Sequence, residues 1–177
     1  VEVFVHGALC MSVSGQCGLS AVIGSRSANR GRCAQACRLP FSAAGEKNAC
    51  ALSLKDLCLV PYVQELTQMG VSSLKIEGRC KRPEYVAAAV TALVQARNGQ
   101  EPDLDTLRAV FSRSGFTDGY YTGVRKNMFG TRQKEDVLLA KDVLPKLEHL
   151  YQKPPSCVPL HMAVSIQAGT PVSLTAS

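Results

Sequence analysis

Eight cysteines stand in a chain of 177 residues, and six of them, Cys10, Cys17, Cys33, Cys37, Cys50 and Cys58, fall within residues 10–58; Cys80 and Cys157 lie beyond. A disulfide-stapled secreted domain spreads its cysteines over a short chain with little core. Here hydrophobic residues make up 46% of the sequence, enough to bury an ordinary core without staples. No basic segment followed by an apolar stretch and a small-residue cleavage site opens the chain. The expected setting is a reducing, cytoplasmic compartment, where clustered cysteines bind metal or do redox chemistry more often than they form bridges.

The charge distribution adds a second constraint. Lys+Arg number 20 against 14 Asp+Glu, a formal net charge of +6, which favours a polyanionic partner. From Val3 to Gly45 there is no acidic residue, and Arg26, Arg30, Arg32 and Arg38 stand close together in that stretch. It reads either as a basic surface for a nucleic-acid backbone or as an ordinary solvated loop. No apolar run approaches the roughly 18 residues of a membrane-spanning helix, so no membrane partner is expected. The chain opens on Val1 inside one strand-like pattern and stops at Ser177 inside another. We expect a piece of a longer protein, poorly stable and inactive by itself.

Hydrophobic spacing gives the order of elements. Val1, Val3 and Val5 alternate with Glu2, Phe4 and His6 as in a strand closed by Gly7. A long segment rich in Gly, Ser, Cys and Arg follows over residues 8–50, with a helical turn at Leu19–Ile23; a loop of such length is usually functional. Ser53 reads as an N-cap for a helix from Leu54 to Met69, interrupted by Pro61 and closed by Gly70. Val71–Glu77 reads as a strand, and Pro83 opens an alanine-rich helix over Glu84–Arg97 that stops at Asn98-Gly99. A short helix over Leu104–Ser112 precedes a Gly- and Tyr-rich segment, Gly115–Gly130. Pro154-Pro155 reads as a boundary, beyond which residues 160–166 and 172–174 alternate around Gly169 as a hairpin does. The order predicts βα units and a parallel sheet.

Gly7, Gly15 and Gly18 flank Cys10 and Cys17 and permit close turns. Four thiolates on loops over one sheet edge suit a tetrahedral zinc or an iron–sulfur cluster. Zinc ligands usually pair at short spacing, which only Cys33 and Cys37 show, so the wider intervals favour a cluster.

The run EVFVHGALCMSVSGQCGLS from Glu2 to Ser20 resembles the signature of the collagenase-like peptidase family, number thirty-two among the peptidases of unknown type. SANRGRCAQACR from Ser27, SLKDLC from Ser53 and SLKIEGR from Ser73 resemble its later blocks, in order. GFTDGYYTG from Gly115 and the β-like tail resemble the branch with an extra C-terminal domain that includes a ribosomal-RNA cytidine hydroxylase. The resemblance implies oxygen-independent hydroxylation of an RNA pyrimidine on a TIM-like (β/α) barrel with a four-iron four-sulfur cluster, and prephenate as a co-substrate. RNA, ribosomal or transfer, is the implied partner. The implied cluster ligands are Cys10, Cys17, Cys33 and Cys58, with Cys37 competing for one place. On this reading residues 1–100 are the C-terminal part of the barrel with its cluster loop, 101–153 a helical, turn-rich connection, and 154–177 the start of a β-rich domain.

In a parallel barrel, active residues sit at the C-terminal strand ends. His6 ends the first strand, and Lys75, Glu77 and Arg79 end the second, so all four are candidate catalytic residues converging below the cysteine loop. Lys75 and Arg79 would hold an anionic substrate, and His6 or Glu77 would move a proton. Equally open are a structural role for His6 and a plain ion pair for Lys75 with Glu77. The family name implies a peptidase as an alternative, but no HExxH helix, GxSxG elbow or Cys–His pair supports hydrolysis. A non-catalytic zinc scaffold for RNA is the third reading. Cys50, Cys80 and Cys157 match no ligand position and read as small buried hydrophobes.

Overall fold

A computed structural model describes residues 1–13, 16–43, 45–79, 81–152 and 162–176. In chain order they form β1 (Glu2–Ala8), α1 (Leu19–Gly24), β2 (Phe41–Ala43), β3 (Glu46–Ala49), β4 (Asp56–Cys58), α2 (Val63–Gln68), β5 (Ser73–Ile76), α3 (Pro83–Arg97), α4 (Leu104–Val110), β6 (Phe116–Thr117), α5 (Gly119–Thr122), α6 (Lys134–Val143), α7 (His149–Gln152), β7 (Met162–Ser165) and β8 (Ser173–Ala176). The architecture is mixed α/β. Its main sheet has the order β5-β1-β4-β6, and two small hairpins pair β2 with β3 and β7 with β8. The second hairpin is the one expected around Gly169. Pro154-Pro155, Cys80 and Cys157 lie outside the described residues.

β1 pairs parallel with β5 and antiparallel with β4, and β4 pairs parallel with β6. The expected parallel pairing is therefore present, with one antiparallel seam in it. Among the described residues the sheet is open, with β5 and β6 at its edges, and no closed barrel is formed. Among the described residues no helix is long and apolar enough to cross a membrane.

The seam corrects the sequence reading of residues 54–69. Leu54, Leu57, Val60 and Val63 fit a helical stripe, yet residues 56–58 pair with β1 through His6↔Cys58 and Ala8↔Asp56. Leu54 bridges to Phe129, and a helix begins only at Val63, after a 3-10 turn over Val60–Tyr62 that takes up Pro61. Pairing with two neighbouring strands buries Asp56, Leu57 and Cys58 together, which a helix stripe could not do. Tertiary pairing here overrides local periodicity.

Both sheet faces are covered. On one, Val5, Leu57, Leu59 and Leu66 form a cluster; on the other, α3 packs Tyr85, Ala88, Ala89, Ala92 and Ala96 with Cys58, Leu107 and Val110. The alanines let α3 come close, and Pro83 at its first turn with Arg97 in its last suits the helix ends. Gly7, at φ +143°, is where β1 passes the end of β5: a β-carbon there would stand 2.5 Å from Glu77 Cβ. The buried charge of the sheet is Asp56, whose Oδ1 takes the Arg113 guanidinium at 2.5 Å. Removing either partner of such a pair typically costs about 3–5 kcal/mol, because the other is left charged and dry.

His6 is fully buried on the α3 face, with its ring centroid 5.5 Å from that of Tyr85 and 5.2 Å from that of Phe116. Burial lowers its pKa from 6.5 to about 4, against the opposing pull of Asp56. The unfolded chain binds the proton near pH 6.5 and the native chain only near pH 4, so stability falls as pH drops through that window. Between pH 7 and pH 5 the loss from this group is about 2 kcal/mol. Urea unfolding at the two pH values should show that loss in the wild type and a visibly smaller one in His6→Gln.

Candidate metal centre

Where β1 ends, the chain turns into the cysteine-rich segment, and that segment folds back over the sheet through one side chain. Arg38 donates from Nη2 to the Leu9 carbonyl at 2.5 Å, and from Nη1 to Ser53 Oγ at 3.2 Å and to the Leu54 carbonyl. This ties the residue before Cys10, the residue after Cys37 and the entry to β4. Arg38 is thus an internal clamp, whereas Arg26, Arg30 and Arg32 are exposed on the same segment.

The segment encloses a cavity of about 710 Å³ whose wall includes Cys10, Cys17, Cys33, Cys37 and Arg79. None of these cysteines is in a disulfide. Cys33 Sγ accepts the Gln35 N–H at 3.3 Å, and the Ser20 hydroxyl stands 4.0 Å from it while accepting the Ala34 N–H. Burial pushes the Cys37 thiol pKa up; Arg38 pulls it down, and Cys10, Cys33 and Cys17 raise it further, so the four sulfurs sense one another.

Cys58 is elsewhere. Opposite His6 in the ladder, it enters the core beneath α3, where burial raises its pKa to about 11. Cys50 does not line the cavity either. Among the described residues no three His, Cys, Asp or Glu side chains stand close enough to hold one metal ion. The thiols line a wall instead of meeting at a point. A single zinc, with Zn–S near 2.3 Å, draws its sulfurs to within about 4 Å of each other; a four-iron cluster is a larger body with one thiolate per corner. The four thiols around this cavity match the larger group in kind.

The four candidate catalytic residues are not brought to one place. A register shift between Phe4 and His6 sets Ile76, not Glu77, beside His6, while Lys75 pairs with Phe4. Lys75 lies on the surface, 3.1 Å from Glu2 and 4.8 Å from the Phe4 ring centroid. Glu77 donates its N–H to the His6 carbonyl at 2.8 Å. Arg79 alone reaches the cavity, its guanidinium lying against Gly31, where a β-carbon would be 3.5 Å from Nη1. Sequence reasoning missed the Arg38 clamp and the pairing of Asp56 with Arg113. The arginine in ACR and the aspartate in SLKDLC were visible, but their partners are carbonyls and a residue far along the chain.

Residues 1–129 match Peptidase family U32. The chain is 40% identical over 141 residues to a collagenase of Porphyromonas gingivalis, covering 71% of this chain and 39% of that protein. It is 41% identical over 103 residues to the tRNA hydroxylation protein P1 of Bacillus subtilis (strain 168), covering 51% and 24% respectively. With the 23S rRNA 5-hydroxycytidine C2501 synthase of Escherichia coli (strain K12) it shares 45% identity over 92 residues, covering 49% and 14%. The chain thus spans well under half the length of these curated relatives. No solved structure matches it significantly.

The clamp makes its own prediction. Arg38→Ala leaves the Leu9 and Leu54 carbonyls without their donor, at a cost of about 1–3 kcal/mol. Half-buried Cys37 should then react faster with a thiol reagent, and Arg38→Lys, which lacks the planar fork, should not restore the wild-type rate.

Proposed function

The chain belongs to peptidase family U32, and from that premise we propose that its parent protein is an RNA-modifying enzyme of the cytoplasm, hydroxylating a pyrimidine without oxygen. The observation that carries this reading is the wall of four free thiols, Cys10, Cys17, Cys33 and Cys37, around one cavity with Arg79. They would hold a four-iron four-sulfur cluster, with Cys37 in the place that sequence blocks alone suggest for Cys58. Such a group supplies electron-transfer chemistry when bound. The Gln35 N–H and the Ser20 hydroxyl beside Cys33 stabilise negative charge on that sulfur. Arg79 offsets the charge of the thiolates and orients an anionic group at the cavity mouth. Exposed Arg26, Arg30 and Arg32 give the RNA backbone a track to the same segment.

The names of the relatives from Bacillus subtilis and Escherichia coli support the RNA reading. The collagenase name supports hydrolysis, but the described residues bring no histidine to the cavity cysteines, and buried His6 faces α3 instead. Prephenate remains part of the proposal as the co-substrate. The open edge at β5, which pairs parallel with β1, is where the parallel strands of a TIM-like barrel would continue.

Isolated without oxygen, the parent protein should contain about four iron and four sulfide per chain. Cys37→Ser should strip the iron, as should serine at Cys10, Cys17 or Cys33, whereas Cys58→Ser should retain it; the reverse pattern for Cys37 and Cys58 would refute the ligand set. Mass spectrometry of RNA from cells lacking the protein should show one hydroxylated pyrimidine missing, restored by the wild type and not by Cys37→Ser.

RNA affinity should fall steeply with salt. Replacing Arg26 and Arg30 by alanine should flatten the logarithmic salt slope by roughly one to two units, at about 0.7 per single-strand phosphate contact. An unchanged slope would remove these arginines from the interface.

A further inference from the structure

A second cavity, of about 330 Å³, opens where the N-terminus of α3, the end of α4 and the C-terminal half of α6 converge. Lys81, Arg82, Arg113 and Arg132 line it, with Tyr85 and Phe111. Three of these cations crowd one ring: Lys81 Nζ is 3.3 Å, Arg132 Cζ 4.6 Å and Arg113 Cζ 4.9 Å from the Phe111 centroid. A ring face attracts a cation by about 0.5–2 kcal/mol, which does little against mutual repulsion among three charges so close in a half-buried site.

Carboxylates offset only one of these three charges by direct pairing. Asp56 takes Arg113, and Glu84 stands 3.8 Å from Arg82 while accepting from Tyr151. Asp136, four residues along the chain from Arg132, accepts from the backbone N–H groups of Gln133 and Ser114. Among the described residues no acidic side chain pairs with Lys81 or Arg132. Burial lowers the Lys81 pKa to about 8, with Arg113, Arg132 and Arg38 adding to the effect against Asp56. Tyr85, also in the lining, has a buried hydroxyl without a hydrogen-bond partner. The chemistry that these cations and this hydroxyl suit is that of an anion.

Its size and position follow from the walls. A volume of about 330 Å³ sits at the low end of small-ligand sites, about 300–1,000 Å³, and suits a metabolite better than a polynucleotide. Gln35 contributes to the wall, and its own N–H bonds Cys33, so the pocket adjoins the thiol-lined cavity through one residue. We infer that this pocket binds a small dianion carrying phosphate or carboxylate groups, gripped by Lys81, Arg113 and Arg132. The ligand lies against Phe111 and Tyr85, beside the cysteine loop.

The test is calorimetric titration of the anaerobically isolated full-length protein with pyrophosphate and, separately, with malonate in low-salt chloride buffer. At least one probe should bind saturably. Lys81→Met and Arg132→Gln should each weaken it by about tenfold or more, while Arg97→Gln, at the other end of α3, should not. Arg132 is exposed, so its replacement is the one least able to disturb folding. No saturable binding of either probe up to about 10 mM, or undiminished binding in both pocket variants, overturns the proposal. So does a loss of RNA-oligonucleotide binding in those variants with small-anion binding intact, since the cations would then serve the RNA. Iron content, measured on every variant, should stay at the wild-type level and separates this result from the fate of the cysteine assignment.

Discussion

The guanidinium of Arg38 fixes what every other feature of the cysteine segment presupposes. It is a half-buried cation whose recorded acceptors are two backbone carbonyls and a serine hydroxyl, from Leu9, Leu54 and Ser53. Those acceptors belong to the exit of β1 and the entry to β4, two pieces of chain that otherwise need have no fixed relation to the loop between them. A planar fork satisfies several acceptors at once at defined angles, which an ammonium on a flexible stem does not. The long segment is thereby held over the sheet edge as a wall, with its thiols turned toward a common space.

The sheet beneath explains which thiols share that space. In the antiparallel seam Cys58 stands opposite His6, and both side chains are committed to the face that α3 covers. A cysteine at this register is a core residue whatever block of sequence surrounds it. Cys37 follows Ala36, whose burial anchors a short 3-10 turn, and emerges half-exposed at the cavity. Two cysteines of similar sequence credentials are thus separated by pairing and turn geometry.

How much of this was legible beforehand depended on how local the cause was. β1, α3 and the hairpin around Gly169 follow from period-2 alternation, from alanines bounded by Pro83 and Gly99, and from a turn glycine; all three stand where those signals put them. Residues 54–60 were misread because Leu54, Leu57 and Val60 fit a helical period, and only the neighbouring strands decide the matter. The cysteines announced a site as a group, but spacing along the chain carries no information about which face a β4 residue takes. By sequence Arg38 is one more cation of a basic stretch, since acceptors on backbone carbonyls leave no mark in a sequence. Lys81, Arg113 and Arg132 are far apart along the chain, and nothing short of the fold brings them around Phe111.

None of Cys10, Cys17, Cys33 and Cys37 belongs to either hydrophobic cluster. Small metal domains commonly need their metal in order to fold at all, because the ligands are the core. Here the apolar packing, the Asp56–Arg113 pair and the Arg38 clamp are complete without any thiol of the cavity. On the function proposed above, a bound cluster would add nothing to this core, and an oxidant that destroyed it would leave the fold standing. Damage of that kind would call for refilling, not for degradation and resynthesis of the chain.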